Sequence, residues 1–170
     1  MEHGLYVHIP FCNNKCKYCD FLSFQGIDNA LKLRYARALA KEIALTADVF
    51  SYKPDTIYIG GGTPTVLETQ ALEEILRSLA PLATNVKEYT IEANPETISE
   101  AIADLCVKYD INRISLGAQS AEDTLLKTLG RNHTYAQTKY AVSLLRKKGL
   151  LRTEAACNGG GEEQSLGCIK

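Results

Sequence analysis

The spacing of apolar residues along the chain changes several times, and each change marks the border of an element. Residues 4–9 form a short apolar run rich in β-formers, and it stops at Pro10, which has no N–H to give to a sheet ladder; this reads as a first strand emptying into a loop. Over 28–50 the period lengthens: Ala36, Leu39, Ile43, Ala47 and Phe50 recur in steps of three or four, one stripe of a long amphipathic helix. A second strand, 55–59, leads into Gly60-Gly61-Gly62-Thr63-Pro64-Thr65, and a helix follows with Leu72, Ile75, Leu76, Leu79 and Leu82 on its buried side. The unit then repeats as strand 88–93, turn Asn94-Pro95-Glu96, and helix 98–109 with Ile98, Ala101, Ile102, Leu105 and Cys106 in line. It repeats again as strand 111–116, turn Gly117-Ala118-Gln119, a helix over 121–129 stopped by Gly130, and a second helix over 135–148.

Three of the strand-to-helix turns read as capping boxes: Thr65 with Glu68, Thr97 with Glu100, and Ser120 with Asp123. Each such box is worth about 1 kcal/mol to a helix start. Strands and helices alternating at these lengths imply βαβ units, hence an α/β fold with parallel strands. In folds of that kind ligands gather at the C-terminal ends of the strands, and every turn named above lies on such an end.

Composition narrows the picture. With 170 residues, 45% hydrophobic and 23% charged, the chain is long enough and apolar enough to build a core. Its net charge is −1 and its basic residues are dispersed, so no nucleic-acid footprint is present and a small-molecule site is expected. The early apolar run 5–11 is interrupted by His8 and Pro10 and has no basic leader, which argues against a signal peptide or membrane span and for a cytoplasmic protein. Six cysteines in such a setting stay reduced, which favours metal binding over disulfides. Cys106, on an apolar helix face, reads as core.

Three of the six, Cys12, Cys16 and Cys19, fall within eight residues at C-x3-C-x2-C spacing. A loop that short can aim three sulfurs at one centre only by folding around it. Thiolates hold zinc and iron–sulfur clusters; a structural zinc site wants four ligands, and here His8 or His3 would have to supply the last. Three cysteines on a cluster instead leave one iron open. The glycine-rich turn at 60–65 is not a P-loop, because no Gly-Lys-Ser/Thr follows it, but its backbone amides can approach a polar ligand closely.

The cysteine loop, with Tyr6-Val7-His8-Ile9-Pro10-Phe11 before it and Asp20-Phe21 after it, resembles the radical S-adenosylmethionine (SAM) superfamily, in the branch of oxygen-independent coproporphyrinogen oxidases and related heme chaperones. The resemblance implies a partial (β/α) barrel, with about four of its six units visible. It implies a [4Fe-4S] cluster on Cys12, Cys16 and Cys19 and SAM on the open iron, with Gly62 and Thr63 receiving the SAM amino group. It further implies Tyr6 against SAM, Tyr18 shielding the cluster, Glu92 on the ribose, and Gln119 and Arg131 as further polar SAM contacts. Tyr6 reads equally as a strand core residue, and Arg131 equally as a cap on the preceding helix. The chemistry implied is reductive cleavage of SAM, driven by an external one-electron donor, with heme or a porphyrinogen as partner. Phe21 stands where the oxidases carry a fourth cysteine, so the heme-chaperone branch is expected. The resemblance runs from about residue 4 to Gly149; residues 1–149 then make the N-terminal part of a radical SAM core, and 150–170, with no strand periodicity, are expected to be an irregular tail on a truncated chain.

Overall fold

The computed structural model describes residues 3–50, 53–150 and 152–156. Five strands form one wholly parallel sheet: β1 (Gly4–Ile9), β2 (Thr56–Gly61), β3 (Glu88–Ala93), β4 (Arg113–Gly117) and β5 (Thr153–Ala156), in the spatial order β1-β2-β3-β4-β5. The connecting helices are α1 (Asn29–Phe50), α2 (Thr69–Leu79), α3 (Glu100–Lys108), α4 (Asp123–Leu129) and α5 (Tyr135–Lys147). Strand order equals chain order, with no reversal. Crossovers of one hand that always step in one direction put every helix on the same side, which is the wall of a barrel and not a doubly wound sheet.

Burial along the strands follows that geometry. Val7, Ile9, Ile57, Ile59, Tyr89, Ile91, Ala93, Ile114 and Leu116 are buried and join one core with Leu72, Ile75, Leu76 and Leu79 of α2, Ile102 and Cys106 of α3, and Ala141 and Leu145 of α5. Ala36 and Ile43 bring the predicted stripe of α1 into the same core. Cys106 is sealed there as expected, and burial pushes its thiol up to about 12, which makes it inert at neutral pH. The alternate residues form a second, polar face. Tyr6 pairs in register with Tyr58, Tyr58 with Thr90, Thr90 with Arg113, and Glu92 with Ser115.

The three expected capping boxes do not form. Thr65 lies inside a 3-10 turn (Pro64–Val66) with its hydroxyl against that of Thr97, so α2 starts later, after Glu68, with no side-chain cap. Thr97 bonds back to Asn94, and Ser99 caps α3 by accepting from the Ile102 N–H. Helix α4 begins after Glu122, likewise without a side-chain cap. A capping box does form at α5, where Thr134 and Gln137 exchange bonds through the Gln137 and Thr134 backbone amides, and another joins Asn94 and Thr97 around the 3-10 turn Pro95–Thr97.

The expectation of an irregular tail after Gly149 fails at Thr153–Ala156, which pair with β4 from Ile114↔Thr153 to Gly117↔Ala156. Four residues are too few to display a period. An unpaired β4 edge, with its row of backbone donors and acceptors, recruits them without one. Cys157 and Cys168, with the rest of that tail, lie outside the described residues.

Candidate functional site

Strand β1 ends at Pro10, and the chain then makes a loop whose neck is closed by backbone bonds from Cys12 N–H to Phe24 O (3.1 Å) and from Phe24 N–H to Pro10 O (2.7 Å). Phe11 anchors that neck: it is buried and meets Tyr35 of α1 edge-on, 5.1 Å between ring centroids. Within the loop, Cys19 N–H donates to Cys16 O, and Lys17 N–H reaches out to Leu129 O at the end of α4 (3.1 Å). The loop is therefore held at both ends of the sheet's upper rim before any ligand is considered.

The turn after β2 runs directly beneath it. A Cβ on Gly62 would stand 2.5 Å from Phe11 O and 2.9 Å from Cys12 Sγ, so only glycine lets the turn come this close. Thr63 is extended, as its place before proline predicts, but its side chain is buried and engaged rather than presented. Its Oγ1 accepts from Asn94 Nδ2 (3.0 Å) and lies 3.6 Å from Cys12 Sγ.

After β3, Asn94 links the turns: its Oδ1 accepts from Arg131 Nη2 at 2.6 Å. The same Nη2 donates to Gly117 O (2.8 Å), and Nη1 donates to Cys16 Sγ (3.4 Å). Gly117 is a second close approach, since a Cβ there would stand 2.8 Å from Asn94 Oδ1. Gln119 adopts φ +64°, a left-handed conformation that costs a non-glycine residue energy and clusters at functional sites. Glu92 accepts from the Tyr58 hydroxyl (2.6 Å) and from Gly61 N–H (3.2 Å). A carboxylate offers about four lone-pair sites, which leaves acceptor capacity facing the rim. Burial, and then the bond to Glu92, push the Tyr58 phenol up to about 12.

These groups surround one cavity of about 350 Å³. Nine of the ten residues singled out from the sequence line it: Cys12, Cys16, Cys19, Tyr18, Gly62, Thr63, Glu92, Gln119 and Arg131. Tyr6 does not. It sits lower on the polar face, more than half exposed, stacked on Tyr58 at 6.1 Å and hydrogen-bonded to His8 Nδ1 at 3.0 Å. Neither the strand-core reading nor direct contact with the cavity describes it, because an even-numbered residue of β1 faces away from the helices. His8 shares that face and is not in the cavity wall, and the His3 amide binds Asp55.

The donor set bears on which metal centre fits. Around one zinc ion, with Zn–S near 2.3 Å, tetrahedral thiolates stand about 3.8 Å apart. Cys12, Cys16 and Cys19 all line the one cavity, with no fourth cysteine or histidine among the described residues beside them in its wall, so the donor set fits a centre held by three thiolates with one position left to a ligand. A buried Arg131 Nε without a hydrogen-bond partner adds an unsatisfied donor at its wall.

Sequence reasoning assigned no role to Asn94, Tyr58 or the pair His133 and Glu96. Asn94 follows a strand directly, the position from which a short polar side chain reaches a barrel rim, so a signal was available. Below it, buried His133 bonds Ala118 O (3.0 Å) and lies 3.3 Å from Glu96. Burial alone would raise the Glu96 carboxyl, but His133, the residue's own amide and Arg131 outweigh it and hold it below the usual carboxylate range.

A parallel barrel wall with three thiols and a glycine turn converging at its rim defines a class of cofactor-dependent (β/α) proteins. The model of the radical SAM superfamily matches residues 6–163, beyond the Gly149 at which the resemblance was expected to end, and the chain belongs to that superfamily. Its members use a [4Fe-4S] cluster and SAM. The chain is 41% identical over 153 residues to the heme chaperone HemW of Lactococcus lactis, covering 86% of this chain and 38% of that protein. It is 38% identical over 161 residues to the oxygen-independent coproporphyrinogen-III oxidase-like protein HemZ of Bacillus subtilis, covering 88% and 31%. Among solved structures, coproporphyrinogen III oxidase HemN of Escherichia coli superposes with a TM-score of 0.79 at 26% identity, covering 89% of this chain and 36% of that one. The chain thus spans roughly a third of the length of these relatives.

Proposed function

We propose that this chain carries the cofactor-binding part of a heme chaperone, with Cys12, Cys16 and Cys19 holding a [4Fe-4S] cluster and SAM occupying the adjoining cavity. The observation that carries the reading is the meeting of nine residues named from the sequence, from four strand ends, around that one cavity. When bound, the cluster supplies one-electron reduction of SAM. The chain's own residues bind and orient: Gly62 lets its turn close against the cysteine loop and, with Thr63, meets the ligand's amino group, Glu92 accepts from ribose hydroxyls, and Gln119 and Arg131 meet the remaining polar groups. Tyr18 and Phe21 cover the loop side and exclude water; Tyr6 acts through its stack on Tyr58, which holds Glu92 in place. The electron comes from an external one-electron donor, and the reduced thiols suit the cytoplasm. In the described residues no helix is long and apolar enough to cross a membrane.

Heme is the proposed cargo because the relatives named heme chaperones are similar over most of this chain, and because Phe21 stands where the oxidases have a cysteine. A second reading, oxidative decarboxylation of a coproporphyrinogen, is favoured by the similarity to HemN and HemZ. Anaerobic reconstitution with iron and sulfide should give about four irons per chain and an electron paramagnetic resonance signal that changes on adding SAM. A zinc-bound, iron-free product would refute the cluster. Heme titration of the reconstituted chain, set against product analysis with coproporphyrinogen, separates chaperone from oxidase.

A further inference from the structure

We infer that Arg131 sets the reduction potential of the cluster through its contact with Cys16, a role separate from binding SAM. The inference rests on the cluster reading above. Arg131 is nine-tenths buried. Its guanidinium is aimed by two acceptors that are not cysteines: Gly117 O at 2.8 Å and Asn94 Oδ1 at 2.6 Å, both on Nη2. With Nη2 fixed at the ends of β3 and β4, the planar fork leaves Nη1 3.4 Å from Cys16 Sγ. The sulfur is positioned independently, because the next residue, Lys17, is tied by its amide to Leu129 O two residues before Arg131. One corner, between α4 and α5, therefore carries both the backbone anchor of the cysteine loop and a fixed positive charge against one of its sulfurs.

Hydrogen bonds to the sulfurs and nearby charge are among the protein's levers on the potential of such a cluster. One electron from an added chemical reductant puts one more negative charge on the core held by these sulfurs; no bond breaks and no proton moves. An N–H donor carrying positive charge stabilises that added charge more than it stabilises the oxidised core, and burial keeps water from screening it. Arg131 thus makes reduction easier before SAM arrives. Glu96, whose carboxylate feels the Arg131 charge, offsets part of the effect.

The test uses the full chain, reconstituted anaerobically and titrated potentiometrically with dithionite in the absence of SAM, reading the resonance signal of the reduced state. R131Q should make reduction at least about tenfold less favourable, a midpoint lower by about 59 mV for one electron. R131K, which keeps the charge and loses the fork, should fall between R131Q and wild type. If R131Q holds no cluster, N94A carries the test, since it frees one anchor of the guanidinium and should shift the midpoint in the same direction by less. A cluster whose midpoint is unmoved in the variant measured overturns the inference and leaves the cluster reading standing. Failure of the wild-type chain to form a cluster overturns both.

Discussion

Along β3 alone, Tyr89, Ile91 and Ala93 are sealed against helices while Glu88, Thr90 and Glu92 make a polar row on the opposite side. The same division runs through β1, β2 and β4. On the helix side the side chains are aliphatic or, at Tyr89, aromatic, all buried and held by packing. On the other side the polar groups hold one another. Arg113 donates to Glu88 (3.3 Å) and Thr90 (3.4 Å), Arg152 reaches Glu88 (3.2 Å), and Tyr58 holds Glu92. A strand buried on both sides of a parallel sheet usually reads as a continuous apolar run. The alternation here says that one side encloses something polar. Stability and chemistry are thereby assigned to different residues of the same strands, and substitutions on the two sides should fail in different ways.

The largest contrast is expected at the rim. Cys12→Ala should reduce iron uptake on reconstitution to background while leaving the urea unfolding midpoint of the metal-free chain nearly unchanged; retained iron would break the distinction. Leu76→Ala, on the helix side, should cost about 2–5 kcal/mol in the same denaturation experiment and leave iron per folded chain at the wild-type value. Glu92→Gln keeps the shape and removes the charge, so SAM affinity measured by calorimetry should fall roughly tenfold, about 1.5 kcal/mol, with little change in stability. The smallest effect concerns Tyr58. Its folded-state phenol is raised from 10.0 to about 12, so its contribution to stability is complete below pH 10 and lost as pH rises through about 12. Tyr58→Phe, which removes the bond to Glu92, should lower stability at neutral pH by about 1 kcal/mol and flatten the alkaline fall.

The alternation of strands and helices was legible because each unit carries an unbroken apolar period, and the four strand ends fell where their turn residues put them. The cavity was legible for a related reason: cysteines, glycines, Glu92 and Gln119 all sit within a few residues of those ends, and a parallel sheet brings the ends together. Capping was not. Thr65 and Thr97 had the right spacing, but 3-10 turns intervene before both helices, and the hydroxyls serve those turns instead. Tyr6 stands apart from the other nine because proximity to the cysteines in sequence says nothing of height along the strand: Tyr6 lies opposite Tyr58, below Gly61. Asn94 escaped because its importance comes from joining Thr63 to Arg131, partners 31 and 37 residues away. Strand β5 escaped because four residues show no rhythm, and only a waiting neighbour gives them one.

Chain order in the sheet also bears on how the molecule comes to be folded. Gly4 pairs with Thr56, Thr56 with Glu88, Thr90 with Arg113 and Ile114 with Thr153, separations of 52, 32, 23 and 39 residues. No pairing waits for a distant partner, so the loop-closure entropy of each step stays modest. A nascent chain emerging from the ribosome could add each strand to the one made just before it. The three thiols would then leave the ribosome before their supporting turns and meet them only as β2, β3 and the corner after α4 arrive, which ties the timing of metal loading to the progress of synthesis.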